Sequence, residues 1–507
     1  MNQLGLWDYL IIVVFLLGVT ALGLAVSGRQ KSLKDYFAAG GNMPWWAVAI
    51  SLYASLLTPM SFVGVTSWVY QKDSRWIIGN AVAGVFTIYF AARVWVPLWD
   101  RLRPLSIYEY LEQRFGLGLR LFGAVIFIIQ MIFWLGNELV TSASAFEHVT
   151  RIPGLYCLLA IVALTSSYML VGGSRSDIWA DVVQFAAFLF AFAVIAFLLL
   201  TYFDWRPLQI YRVASSTPSA MTGQPHTRII SAEFDLSVEG TVWAIVFHRI
   251  NGVLAFGTEQ VPVQRLIAIG SRRNMYKALI GFTLVDLLVA IVTVFVSWGF
   301  VAFYQVNSAA QAPAHPDQIL VSYALNFTPA VVRGLIMAGL LSALMASYGT
   351  GLNTMSNVIL NDCYRRLFVR DRSERHYLLI SRLFTLTASV FLLLFALWQY
   401  RHRELTALQR MGQLSALVAG PVACFFMLGA FSRRANAAGA IVGGIVSIAF
   451  SLVFNGFPGL FEPVIKGVNW MWIAGFSTAS GLAAGYLASL LFAPHPPERL
   501  EGLTLRW

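Results

Sequence analysis

Residues 50–64 read Ile-Ser-Leu-Tyr-Ala-Ser-Leu-Leu-Thr-Pro-Met-Ser-Phe-Val-Gly, and the predicted architecture follows from these residues. It lies inside an apolar segment long enough to span a membrane, with Pro59 at mid-span among hydroxyl-bearing residues. A proline leaves the carbonyl of Ser55 without its helical hydrogen bond, so we expect the helix to unwind near Leu57 and Thr58. Helices that unwind at the membrane midplane expose backbone oxygens to ions and solutes. A plain proline kink is the alternative.

The rest of the chain consists mostly of further apolar segments. Its 507 residues are 58% hydrophobic and 12% charged, with a mean hydropathy of +0.69. Soluble proteins carry about a quarter charged residues. We therefore predict an all-α integral membrane protein with about thirteen spanning helices. The predicted spans are 8–27, 43–67, 76–98, 119–145, 154–171, 177–202, 240–265, 275–304, 328–361, 376–399, 405–430, 436–456 and 469–492.

The basic residues predict the orientation. If the N-terminus lies outside and the C-terminus in the cytoplasm, the basic loops 29–34, 101–120 and 365–375 all fall on the cytoplasmic side, as the positive-inside rule requires. Topology thus explains the net charge of +11 without a nucleic-acid partner. We expect a multi-pass protein of a bacterial-type inner membrane that works as a monomer.

A second interruption lies in the span 240–265, at residues 251–252 and again at the polar stretch 257–260. It comes five spans after the first. Two broken helices at this spacing are what an inverted five-helix repeat produces. The predicted parts are an extra N-terminal helix (8–27), repeat one (about 43–202), repeat two (about 240–430) and the C-terminal helices (436–492).

Five motifs follow one another along nearly the whole chain. They are Ser-Leu-Lys-Asp-Tyr-Phe (32–37) with Pro-Trp-Trp (44–46), Ser-Ile-Tyr-Glu-Tyr-Leu-Glu-Gln-Arg-Phe-Gly (106–116), Gly-Gly…Trp-Ala-Asp-Val-Val-Gln (172–184), Gly-Thr-Glu-Gln…Gln-Arg (257–265) and the serine-rich stretch 342–364. In order and spacing they resemble the sodium/solute symporter family, relatives of the sodium/glucose cotransporters and of bacterial sialic acid and proline symporters. The resemblance implies a LeuT-like inverted-repeat fold, with helices broken at the midplane and Na⁺ as the coupling ion.

The resemblance also implies a sodium site. Sodium is a hard cation and takes oxygen ligands. The backbone carbonyls of Ala54 and Leu57 would come from the first broken helix. The carbonyl of Ala343 and the hydroxyl of Ser347 would come from the eighth core helix. The chain departs from the family at Ala346, where many relatives have a second serine.

Two more residues are implied in cation binding. Asp181 matches the acidic residue of the family's fifth core helix, with a role in sodium binding or in release to the cytosol. Thr350, one turn beyond Ser347, could face it and help to define a second cation position. The alternatives are a structural hydrogen bond at a helix start for Asp181 and close helix packing for Ser347.

Several residues are candidates for the solute site. Thr58 and Ser61 would point into a central cavity, and this hydroxyl pair resembles that of family members that carry sialic acid. Trp76 and Asn80, on the next helix, could supply a ring face and an amide. Those members hold the solute carboxylate with an arginine on the third core helix, where residues 130–138 of this chain have none.

Two charged residues of the second broken span complete the candidates. Arg249 could bind a solute carboxylate through two parallel hydrogen bonds; the alternative is a structural ion pair with Glu138. Glu259 occupies the acidic position of its motif, which implies a supporting role near the cavity.

The leading hypothesis is therefore sodium-coupled uptake of a small polar solute, a sugar or sugar acid. One alternative is sodium- or proton-coupled uptake of a small carboxylate or an amino acid. Another is a membrane solute sensor that does not transport. The sequence has no recognisable Ser/His/Asp arrangement and no HExxH motif, so we expect no enzymatic activity.

Overall fold

The structure is a computed structural model that describes residues 4–28, 30–58, 60–150, 152–308, 310–313, 315–401, 420–456 and 462–505. This part of the chain is all-helical, as predicted. It includes nine helices long and apolar enough to cross a membrane. Pro59 and most of the predicted span 405–430 lie outside the described residues, so the number of thirteen spans stays a prediction.

Most helices follow one another with short connections. The first half forms α1 (Leu6–Ala25), α2 (Leu33–Ala38), α3 (Trp45–Leu56), a π-helical turn (Met60–Gly64), α4 (Val65–Gln71), α5 (Arg75–Leu102), α6 (Tyr108–Phe115), α7 (Leu117–Thr150), α8 (Gly154–Tyr202) and α9 (Pro207–Ser216). The second half forms α10 (Val242–Thr258), α11 (Gln260–Ile267), α12 (Arg272–Val306), α13 (Ile319–Phe327), α14 (Val332–Val358) with a π-helical extension (Ile359–Phe368), α15 (Glu374–Arg401), α16 (Gly420–Phe431), α17 (Ala437–Asn455), α18 (Trp470–Leu490) and α19 (Pro497–Leu500).

The predicted break in the first core span is confirmed. Helix α3 ends at Leu56, and Leu57 has an extended backbone with φ −72° and ψ 126°. The chain becomes helical again only in the π-helical turn that begins at Met60. The backbone oxygens around Leu57 are therefore released from regular helical bonding in mid-span.

The second break lies later than residues 251–252. Helix α10 runs through both residues, so the prediction of a break there is wrong. The interruption falls within the other predicted stretch, 257–260, where Glu259 has an extended backbone (φ −110°, ψ 134°) between α10 and α11. One glycine in a helix costs only about 1 kcal/mol, and packing of α10 against α5 and α18 offsets this.

The two broken spans run in opposite directions. At one end, the backbone N–H of Met43, just before α3, donates to the carbonyl of Ala268, just after α11 (3.0 Å). At the other end, Lys72, just after α4, forms an ion pair with Glu239, just before α10. The start of each broken span therefore lies beside the end of the other. This is the arrangement of an inverted repeat.

Helix α8 combines two predicted spans. A straight helix of its 49 residues would be about 74 Å long, more than twice the hydrocarbon core of a bilayer. It turns at Gly173, whose φ of 55° and ψ of −142° are not helical. A Cβ at this position would overlap the carbonyl oxygen of Tyr36. The predicted division between 154–171 and 177–202 is thereby confirmed.

Helix α14 lies at the centre of the molecule. In the apolar part of Val332–Phe368, 94% of the residues are buried, against 33–50% in the other eight long helices of the described chain. It packs against α8, α1, α7, α15 and α3. A side chain on α14 is therefore positioned by several helices at once.

Candidate ion and solute site

A cavity of about 330 Å³ lies beside the first break. Its walls come from the α3–α4 span, α5, α10 and α12. Four of the predicted solute residues line it: Ser61, Trp76, Asn80 and Arg249. Thr58 and Glu259 lie outside this lining. Leu57, predicted as a sodium ligand, and Asp286 are also part of it.

Thr58 and Ser61 fix the geometry of the break. The backbone N–H of Thr58 donates to the hydroxyl of Ser61 (3.2 Å), and the N–H of Ser61 donates to the hydroxyl of Thr58 (3.3 Å). The backbone of Ser61 also donates to the carbonyl of Thr58 (2.8 Å). Reciprocal side-chain bonds of this kind satisfy donors at a helix start. Thr58 is buried, and Ser61 reaches the cavity.

Arg249 is held by Asn80. Its Nε donates to the side-chain oxygen of Asn80 (2.8 Å), and its Nη2 donates to the backbone oxygen of the same residue (2.7 Å). The amide of Asn80 in turn donates to the carbonyl of Trp76 (2.9 Å). The alternative ion pair with Glu138 is not formed, since both carboxylate oxygens of Glu138 lack a hydrogen-bond partner among the described residues.

The cavity also contains an acidic group. Asp286 on α12 lines the same space as Arg249, and a Cβ at Gly84 would lie 3.1 Å from its carboxylate. Both signs of charge are therefore available to a bound solute.

Four of the predicted sodium residues lie on, or directly after, two helices that pack together, α3 and α14. Ala54, Leu57, Ala343 and Ser347 are all buried. The hydroxyl of Ser347 donates to the carbonyl of Ala343 (3.1 Å). Leu57 also lines the cavity, so the first break borders both the candidate ion position and the solute space.

Asp181 and Thr350 are brought together, with an arginine between them. Nη2 of Arg265 on α11 donates to Oδ2 of Asp181 (3.1 Å), to Oγ1 of Thr350 and to Oδ2 of Asp177. The hydroxyl of Ser51 on α3 donates to the same oxygen of Asp181 (2.6 Å). This cluster joins α3, α8, α11 and α14.

Sequence reasoning missed Asp177 and Arg265 as members of the site. Asp177 precedes Asp181 by four residues, so both carboxylates lie on one helical face within an apolar span. That pair was the available signal. Arg265 is the last residue of the motif at residues 257–265, but the sequence does not show which groups its side chain contacts.

A ladder of amides continues from this cluster along α14. Asn353 donates to Ser174 (2.9 Å), and Asn357 donates to the side chain of Gln264 (3.0 Å). Gln264 also donates to the carbonyl of Phe37 (2.7 Å). Glu259 lies half-buried directly before α11, the helix that carries Gln264. The interface of α11 with α14 is thus polar and hydrogen-bonded rather than sealed by apolar packing.

Comparison with known proteins agrees with this architecture. Residues 36–447 match the model of the sodium:solute symporter family. The sodium/sialic acid symporter SiaT of Proteus mirabilis is 28% identical over 502 residues, which cover 97% of this chain and 97% of that protein. The sodium/glucose cotransporter of Vibrio parahaemolyticus is 24% identical, over 90% of this chain and 86% of that protein.

Solved structures extend the comparison to the fold. The substrate-bound outward-open state of a Na⁺-coupled sialic acid symporter superposes with a TM-score of 0.86 at 25% identity, covering 97% of this chain and 99% of that one. Mhp1, a nucleobase-cation-symport-1 family transporter, has a TM-score of 0.52 at 12% identity, over 90% and 92% of the two chains, and this likeness concerns the fold alone. The family resemblance of the five motifs is confirmed: this chain belongs to the sodium:solute symporter family, whose coupling ion is Na⁺.

Proposed function

We propose that this protein takes up a small carboxylate-bearing solute of the sugar-acid class together with sodium. The observation that carries the proposal is the position of Leu57, which is a predicted sodium ligand and also part of the cavity wall. An ion bound to its carbonyl would hold the break, and with it the cavity, in one geometry. Sodium and solute would then favour each other's binding.

In the solute site, Arg249 binds the carboxylate. Asn80 already orients its guanidinium, which lowers the cost of ordering a long side chain when the solute arrives. Trp76 offers a ring face and Ser61 a hydroxyl to the remainder of the solute. Thr58 fixes the break, and Glu259 supports the second break. The sialic acid and glucose named for two relatives agree with a hydroxylated solute.

In the ion site, sodium is bound by the carbonyls of Ala54, Leu57 and Ala343 and by the hydroxyl of Ser347. The hydroxyl of Ser347 now donates to the carbonyl of Ala343. Its lone pairs remain available, so the same oxygen can coordinate a cation. Asp181 and Thr350 belong to a second cation position one turn away.

The molecule as a whole is proposed to have its N-terminus outside and its C-terminus in the cytoplasm of a bacterial-type inner membrane. Repeat one covers about 43–202 and repeat two about 240–430. The helix 8–27 precedes them, and the helices of 436–492 follow. One chain suffices for transport, without a nucleic-acid partner and without catalysis of a chemical reaction.

The experiment that tests this function is a thermal-shift screen of the purified protein, with Na⁺ or K⁺ as the only added cation. Sialic acid, glucuronic acid, glucose, lactate and proline represent the solute classes. We expect a sugar acid to stabilise the protein in Na⁺ and to have little effect in K⁺. At a concentration 100 times Kd, the stabilisation is about 2.7 kcal/mol. Equal stabilisation in both salts would contradict sodium coupling.

A second candidate is uptake of an amino acid. It is favoured by Asp286, which places a carboxylate in the same cavity as the guanidinium of Arg249. A zwitterion could use both charges. Stabilisation by proline, and not by either sugar acid, would favour this candidate over the first.

A further inference from the structure

The terminal nitrogen of Arg265 lies where three oxygen atoms converge. Nη2 contacts Oδ2 of Asp177, Oδ2 of Asp181 and Oγ1 of Thr350, which come from α8 and α14. Nη2 carries two hydrogens, so it cannot give one to each of three acceptors. Oxygens that surround one positive centre from different helices are an arrangement typical of a cation site.

This point lies one helical turn from the proposed sodium site, on both helices that form that site. On α3, Ser51 precedes Ala54 by three residues, and its hydroxyl donates to Asp181 (2.6 Å). On α14, Thr350 follows Ser347 by three residues. One turn corresponds to about 5.4 Å along a helix. The two positions are therefore successive layers of one α3–α14 interface.

Burial makes the charge of Arg265 indispensable to this layer. Asp177 and Asp181 are 0% exposed and Arg265 is 3% exposed. Oδ1 of Asp177 and Oδ1 of Asp181 have no hydrogen-bond partner within the described part of the chain. Two buried carboxylates without a counter-charge are strongly destabilising. If the arginine were removed, another cation would have to balance their charge.

We propose that Arg265 is a tethered cation that fills the second cation position, so that the transporter binds one sodium ion where its oxygen set would accommodate two. The guanidinium and a dissolved cation compete for the same three oxygens. Because the guanidinium is covalently attached to the protein, it is always present beside these oxygens. Sodium therefore does not displace it. This inference rests on the proposed sodium site at α3 and α14 for the one ion that remains.

The test counts sodium ions on the purified full-length protein by saturation binding of radioactive Na⁺. We expect close to one ion per wild-type protein and close to two for Arg265→Gln. Arg265→Lys keeps the positive charge and should bind one. Arg265→Gln combined with Asp177→Asn should lose the added ion. Size-exclusion chromatography selects folded protein before each titration.

Several outcomes would overturn the inference. Binding of two sodium ions by the wild-type protein would overturn it, and this measurement does not depend on whether Arg265→Gln folds. So would folded Arg265→Gln that binds no more sodium than the wild type. Failure of the proposed sodium site is distinguishable, because the wild type would then bind none while Arg265→Gln still gains one. Ser347→Ala should weaken the wild-type ion and spare the gained one.

Discussion

Asn80 contacts one edge of the Arg249 guanidinium, through bonds to Nε and Nη2, and leaves Nη1 for the solute. We expect Arg249→Lys to keep the charge but to lose the planar, oriented donor group. A hydrogen bond to a charged group contributes about 1.5–3 kcal/mol, so the KM for the solute should rise about 10- to 100-fold. Concentration-dependent uptake measures this.

The control is Thr87→Ser, which lines the same cavity and keeps its hydroxyl. Its KM should stay close to that of the wild type. An unchanged KM in Arg249→Lys would mean that the guanidinium only supports the helix packing of α5 and α10.

Ala346 is the position where the chain departs from its family. It is buried beside Ser347 on α14. A serine there would add an oxygen to the proposed sodium site and replace part of the ion's lost hydration. We expect Ala346→Ser to lower the sodium concentration for half-maximal uptake about fivefold, equivalent to about 1 kcal/mol.

Ala338→Ser is the matched control, because Ala338 is equally buried on the same helix but lies two turns from Ala346. Its half-saturating sodium concentration should not change. Weaker sodium dependence in Ala346→Ser would indicate that the added oxygen only crowds the interface with α3.

The sequence shows which individual residues are unusual better than it shows which residues they contact. A proline or a polar group is unusual within an apolar span. For this reason the sequence draws attention to Pro59, to the hydroxyls around it and to Asp181. The partner of Asp181 does not stand out, because Arg265 is 84 residues away along the chain. The two come together because α11 packs against α3 and α14, and both of these helices pack against α8.

Among the helices, α8 depends on a single turn point. Gly173 has a positive φ of 55°, which residues with a Cβ rarely adopt, and the Tyr36 carbonyl occupies the space beside it. Such backbone strain costs about 1–3 kcal/mol, to which the overlap adds. We expect Gly173→Ala to lower the thermal stability of the purified protein markedly, or to prevent its accumulation in the membrane.

Gly18→Ala is the control for this change. Gly18 lies within α1, and nothing lies within 4 Å of a Cβ built there. Its melting temperature should stay within a degree or two of the wild type, in keeping with about 0.5 kcal/mol or less for an unstrained surface position. Equal melting temperatures for both alanine variants would contradict the assigned turn.

The two breaks differ in how well sequence predicts them. The first has a local cause, since a proline cannot continue the hydrogen bonding of its helix whatever surrounds it. The second has no proline, and residues 251–252 stay helical because α10 packs against α5 and α18. Its position at Glu259 is fixed by tertiary contacts, which periodicity and glycine content do not report.

For the whole molecule, the antiparallel broken spans agree with an inverted repeat, and the basic loops predict its orientation in the membrane. We expect green fluorescent protein fused to the C-terminus to fluoresce in a bacterial host, because it folds in the cytoplasm and not after export through the general secretion pathway. A periplasmic reporter such as alkaline phosphatase should be inactive at the same position. Phosphatase activity without fluorescence would reverse the predicted orientation.

We propose that a sodium gradient drives solute accumulation by this protein. The most direct measurement is uptake of radiolabelled sialic acid into liposomes that contain the purified protein, with Na⁺ high outside and K⁺ inside. We expect accumulation above the external concentration, which disappears when a sodium ionophore collapses the gradient. If a proton gradient without sodium drives the same accumulation, or if a solute that stabilises the protein is not accumulated under any gradient, the claim is contradicted.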